Sequence, residues 1–220
     1  MIQSVIFDMD GLLVDSEPFW QQSEVLIFSK YGINIPAKDC TTTQGMRVDE
    51  VVRYWSSKFP NHISDIQQVA DEILEEVKRL VAKYGKPMDG VIQALELFTN
   101  KGMKIAIASS SALSLIDVVI DKLQIRKYFN IIMSAENLQH GKPHPEIFLE
   151  TAERLQTNPR SCLVLEDSIA GVIAAKAAQM KVIAVPDAAL ATRKEYVIAD
   201  AQLRLLAEID ENLINQLNER

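Results

Sequence analysis

Five short runs rich in Val, Ile, Leu and Ala recur along this chain, separated by stretches of helical periodicity. They are Val5–Phe7, Lys104–Ala108, Asn130–Met133, Cys162–Leu165 and Val182–Val185. A strand buried on both faces shows little apolar–polar alternation, so a brief, continuous apolar run is its signature. Helical patterns fill the later intervals, at Val91–Asn100, Leu113–Leu123, Pro145–Leu155 and Ala170–Ala178. Strand and helix in alternation imply an α/β fold, a parallel sheet with helices on both faces.

The segment after the first strand breaks that alternation. It holds three helical patterns, Glu17–Tyr31, Val48–Phe59 and Ile63–Val81, and no strand signal. In the last of these, Ile66, Val69, Ala70, Ile73, Val77 and Leu80 fall at helical spacing. A helical block placed there implies a small second domain. The expected division is residues 1–15 with 83–220 as the sheet core and 16–82 as the insert. Lys83–Pro87, with Gly85 and Pro87, would make the second crossing.

The chain has 220 residues, 48% of them apolar, which suits a packed core and not a disordered segment. Its net charge of −7 argues against a nucleic-acid partner, since duplex binding needs Lys and Arg gathered on one face. A phosphorylated small molecule stays open, because one or two cations in a cleft hold a phosphate. No apolar stretch approaches the ~18 residues of a membrane span, and no basic segment with an apolar core opens the chain. Cys40 and Cys162 form neither a zinc pattern nor a disulfide framework, and Cys162 reads as a buried thiol. The expected setting is a reducing cytoplasm.

The polar residues of interest follow the apolar runs. Asp8, Met9, Asp10 and Gly11 follow the first, and Ser109, Ser110 and Ser111 the second. Lys142 lies in Gly141-Lys142-Pro143-His144-Pro145, after the third, and Glu166-Asp167-Ser168 follow the fourth. Ligands of open α/β sheets bind beyond the carboxyl ends of the strands, so these segments point to one crevice. Taken singly, each has a plainer role. Asp8 and Asp10 suit a turn with Gly11, the serines an N-cap, Lys142 a solvated loop, and Glu166-Asp167-Ser168 a helix start. Asp8, Asp10, Glu166 and Asp167 side by side would repel, at about 4 kcal/mol per pair ~4 Å apart at an effective dielectric of 20. A cation relieves that, and an all-oxygen carboxylate site suits Mg²⁺.

The stretch Asp8-Met9-Asp10-Gly11-Leu12-Leu13-Val14-Asp15-Ser16, then Ser109, Lys142 and Glu166-Asp167, resembles the haloacid dehalogenase superfamily over essentially the whole chain. The helical insert is similar to that of its small-cap branch, which holds sugar-phosphate phosphatases and phosphosugar mutases. The resemblance implies a Rossmann-like core with a helical cap, and a cytoplasmic, monomeric phosphatase of small phosphorylated metabolites. It implies Asp8 as nucleophile, Asp10 as acid and base, and Ser109, Ser110 and Lys142 as phosphate ligands. It also implies Mg²⁺ at Asp8, the main-chain oxygen of Asp10, Asp167 and, directly or through water, Glu166. Arg47 and Trp20 are the cap residues expected to meet the substrate. Leu12 stands where the family often has Thr or Val, and Glu166 where it often has Asp.

Rival readings differ at named residues. A phosphosugar mutase of this branch carries a histidine where Trp20 stands. Dehalogenating relatives lack the second aspartate, here Asp10. Phosphonate hydrolysis needs a cap lysine, for which Lys30 and Lys38 are the candidates. A phospho-receiver domain also gathers acids, hydroxyls and Lys at strand ends, but it is about half this length and has no helical insert.

Overall fold

A computed structural model describes residues 1–219. Six parallel strands form one sheet: β1 (Ser4–Phe7), β2 (Lys104–Ser109), β3 (Ile131–Ser134), β4 (Cys162–Glu166), β5 (Lys181–Ala184) and β6 (Ala201–Gln202). Their order across the sheet is β3-β2-β1-β4-β5-β6, with β1 central. The five expected strands are present to within a residue or so. β6 was not expected, because two residues carry no periodicity to detect.

Successive residues along each strand point to opposite faces and enter separate cores. Val5, Phe7, Ile105, Ile107, Leu163 and Leu165 pack on one face. There they meet α4 (Val91–Asn100), α5 (Leu113–Lys122) and α8 (Glu211–Glu219). Ile6, Ala106, Ala108 and Val164 face the other way, onto α6 (Glu146–Arg154) and α7 (Ile169–Ala177). β1 and β4, and β2 after Lys104, are buried on both faces, which is why they read as unbroken apolar runs. Phe7 sits edge-on to Phe98 and Phe129, at 6.0 and 6.3 Å between ring centroids.

The insert holds α1 (Glu17–Lys30), a 3-10 segment at Ala37–Thr43, α2 (Val48–Lys58) and α3 (Ile66–Tyr84). α3 begins later than its apolar pattern suggests, because Asp65 caps it by accepting from the Gln68 amide at 3.0 Å. It also runs three residues past Val81, up to the Gly85–Pro87 crossing. The two crossings pair with each other. The Asp15 amide donates to Lys86 O at 3.1 Å and the Met88 amide to Leu13 O at 3.2 Å. No helix among the described residues is long and apolar enough to cross a membrane.

Candidate active site

The four polar segments do converge. Asp8 follows β1, and its amide donates to Leu165 O on β4 at 3.0 Å. Lys142 arrives from the loop between β3 and α6. Its Nζ donates to Asp8 Oδ1 and Glu166 Oε1, both at 2.5 Å, and to Ala108 O at 3.3 Å. The ammonium is buried, which alone would depress it, but Asp8 and Glu166 outweigh that and hold it above the usual lysine range.

Oxygens of Asp8, Glu166 and Asp167 lie within 4.8 Å of one another, all from buried residues. Burial, offset by Lys142, pushes the Asp8 carboxyl up to about 7. Burial, then the charges of Glu166 and Asp8, raise Asp167 well above the usual range. Three carboxylates against one ammonium is an uncompensated cluster, and its all-oxygen donor set fits a hard cation such as Mg²⁺. Glu166 is already engaged: Oε1 takes Lys142, while Oε2 takes the Ser168 amide at 2.8 Å and hydroxyl at 2.9 Å. Ser168 in turn caps α7 through the Gly171 amide at 3.0 Å, so this motif starts a helix as well as lying in the acidic cluster. Backbone space is part of the site. Gly11 has φ +72°, and a Cβ there would collide with the Asp167 carboxylate; one at Gly171 would collide with that of Glu166.

Asp10 is handled differently. Its side chain is absent from the acidic triangle and is held as an acceptor. Ser16 Oγ and Trp20 Nε1 donate to Oδ1 at 2.6 and 2.9 Å, and Ser111 Oγ donates to Oδ2 at 2.6 Å. Any metal contact from Asp10 therefore falls to its main chain. Beside Asp8 and Asp10 lies a small cavity, which Trp20, Gln44 and Ser109–Ser111 also border.

Several expected roles change. Ser109 borders the cavity, and its Oγ accepts from the Ser111 amide at 3.0 Å. Ser110 spends its hydroxyl on Gly45 O of the insert, at 2.7 Å. Arg47 does not border the cavity. Its Nη1 reaches Leu138 O at 2.7 Å and Ala135 O at 3.3 Å, while Asp49 and Glu50 flank the guanidinium. Arg47 thus ties insert to core. Trp55 packs against Tyr54 and Phe59 within the insert, away from the cavity. Lys30 and Lys38 are exposed and do not border it, which removes both Schiff-base candidates. The buried-thiol reading of Cys162 holds.

Sequence reasoning missed Gln44, Glu17 and Glu24, and placed Ser111 at the crevice without its bond to Asp10. Gln44 Nε2 donates to Asp167 Oδ2 at 2.8 Å from the insert. Glu17 and Glu24 carried a usable signal, since they lie with Trp20 and Gln21 at i, i+3, i+4 and i+7 on α1, a polar stripe along one helix face.

The sequence model of the haloacid dehalogenase-like hydrolases matches residues 5–185. The chain belongs to that family. Hexitol phosphatase B of Escherichia coli (strain K12) is 35% identical to this hydrolase over 209 residues, 94% of each chain. The phosphorylated carbohydrates phosphatase of Thermotoga maritima is 33% identical over 178 residues, 80% of this chain and 82% of that one. Among solved structures, a β-phosphoglucomutase from Clostridium difficile superposes with a TM-score of 0.88 at 24% identity, over 100% of this chain and 98% of its own. That last likeness is one of fold.

Proposed function

We propose that this hydrolase is a Mg²⁺-dependent phosphomonoesterase of sugar or sugar-alcohol phosphates that works through an aspartyl-phosphate on Asp8. One observation carries the reading. Two aspartates two residues apart have opposite surroundings: Asp8 is bonded to a buried ammonium, while Asp10 is held by two hydroxyls and an indole at the cavity wall. Two carboxyls with different partners suit two roles.

In the first half-reaction an Asp8 oxygen attacks phosphorus and the bond to the leaving alkoxide breaks. Asp10 delivers a proton to that oxygen, a step worth about 10²–10⁴-fold. In the second half, Asp10 takes a proton from the water that attacks the phosphoaspartate, which frees phosphate and restores Asp8. Lys142 favours the ionised form of Asp8 against burial and lies next to the transferring group. Asp8, the main chain of Asp10, and Asp167 would hold Mg²⁺, with Glu166 fixing Lys142 beside it. When bound, the ion supplies positive charge that neutralises phosphoryl oxygens and the carboxylate cluster.

Residues 16–82 act as a cap that excludes water. The bonds from Gln44 to Asp167, Ser110 to Gly45, and Arg47 to Leu138 support this, for all three join insert to core. The names of the two phosphatase relatives favour a carbohydrate phosphate as substrate. The chain works in the cytoplasm as a monomer.

The test is phosphate release from a panel of sugar and sugar-alcohol phosphates with Mg²⁺ and with EDTA. Release that needs the metal and disappears in Asp8→Asn is expected. Undiminished turnover by Asp8→Asn would remove the covalent route. No release from any ester would turn attention to phosphoryl transfer between sugars, with glucose 1,6-bisphosphate as the next addition.

A further inference from the structure

The wall that α1 gives the cavity is polar where a buried helix face is ordinarily apolar. Glu24 is only 5% exposed, and its Oε2 has no hydrogen-bond partner among the described residues. On the same wall the Cys40 thiol hydrogen-bonds the Glu24 carboxyl. One weak thiol donor leaves a buried carboxyl short of partners, and at a cavity wall a ligand can bring another donor. Glu17 lies on the same wall. Among the described residues no Lys, Arg or His borders this cavity. The cation of the site, Lys142, is buried against Asp8 and Glu166.

The two parts of the cavity thus differ in what they accept. Near Asp8, a metal and Lys142 suit one phosphoryl group. Along α1, a second anion would be desolvated with no cation to offset it, whereas a hydroxyl is neutral and both gives and takes hydrogen bonds. We propose that Glu24 reads the hydroxyl groups of the substrate's leaving group and selects neutral polyhydroxylated monophosphates over those carrying a carboxylate or a second phosphate. This rests on the hydrolase reading of Asp8, and it names the feature by which the site recognises its substrate. Burial pushes the Glu24 carboxyl up to about 7, so near neutrality it both accepts from and donates to hydroxyls. Phosphoryl transfer between sugars is disfavoured on the same ground, since it requires a bisphosphate to be seated.

The test is calorimetric binding to the Asp8→Asn protein in Mg²⁺, with glucitol 6-phosphate, 3-phosphoglycerate and glucose 1,6-bisphosphate. Glucitol 6-phosphate is expected to bind at least about ten-fold more tightly than either of the others, the size of one charge-assisted hydrogen bond. Adding Glu24→Gln, and separately Glu24→Met, should narrow that preference by about the same factor. A purely structural Glu24 would weaken all three ligands alike and leave the ratios standing. Unchanged ratios in both variants, or a bisphosphate bound as tightly as the glucitol ester, would overturn the proposal. Turnover of p-nitrophenyl phosphate by the unaltered chain reports on Asp8 separately. Absent turnover with a shifted ratio would end the hydrolysis reading and still support the role of Glu24.

Discussion

Replacing Lys142 with Met tests how the acidic cluster is held together. Met keeps the length and apolar stem of the side chain and removes only the ammonium. Lys142 Nζ bonds Asp8 and Glu166 at 2.5 Å each, and its side chain is 1% exposed. Losing one partner of a buried ion pair costs about 3–5 kcal/mol, because the charge left behind is uncompensated. Here two carboxylates are left. At ~2–4 °C per kcal/mol for a chain of this size, the melting temperature should fall by roughly 6–20 °C. The loss must also depend on pH. Asp8 already lies near 7 in the folded chain, against an ordinary 3.8, and without Lys142 it moves further up. A carboxyl raised on folding binds more protons in the native state than in the unfolded one. Stability then falls as pH rises from about 4 through the folded value, and the variant carries that fall to higher pH than the parent. Thermal unfolding followed by circular dichroism, in EDTA at pH 5.5 and pH 8, is the assay. The deficit should be larger at pH 8. A drop under ~2 °C, or one equal at both pH values, would refute the claim that Lys142 neutralises this cluster.

Asp10→Asn should slow sugar-phosphate hydrolysis by about 10²–10⁴-fold but p-nitrophenyl phosphate far less, because that leaving group needs no proton; equal losses in kcat would deny Asp10 the acid role. Mg²⁺ at 100 times its dissociation constant should stabilise the chain by about 2.7 kcal/mol, more at pH 8 than at pH 5.5, since its ligands must be deprotonated. A melting temperature indifferent to Mg²⁺ would place the metal elsewhere. Arg47→Ala removes the bonds to Leu138 O and Ala135 O, so a KM raised several-fold with p-nitrophenyl phosphate kcat within about two-fold is expected. A collapse in kcat alone would instead give Arg47 a part in the chemistry.

The sheet was legible because its residues face the same demand on both sides. Val5, Ile6 and Phe7 are all buried, although they belong to two different cores, so the apolar run is continuous. The candidate site was legible for a related reason: Asp8, Ser109 and Glu166 are the first polar positions at strand ends, where the backbone must leave the sheet. What was not legible depends on contacts between segments far apart in sequence. Gln44 meets Asp167 across 123 residues, and Ser111 meets Asp10 across 101. No local period records such pairs. Arg47 misled for the opposite reason. A cation near a glycine turn suggests a ligand, but the nearest unsatisfied groups were the carbonyls of Ala135 and Leu138.

The division between what was read and what was missed follows the division of labour in the site. The groups proposed to form and break bonds lie at the strand ends of the sheet, where parallel neighbours fix the backbone: Asp8 is tied to β4 through Leu165, and Lys142 bonds both Asp8 and Glu166. The groups proposed to meet the rest of the substrate lie on α1, in an insert whose buried Ile27, Val69 and Val77 share one apolar cluster with Val5 and Leu163 of the sheet. A ligand that offers a donor to a buried acceptor such as Glu24 Oε2 would favour the closed insert. The empty cavity leaves that carboxyl short of partners, and substrate binding over Asp8 would relieve the cost.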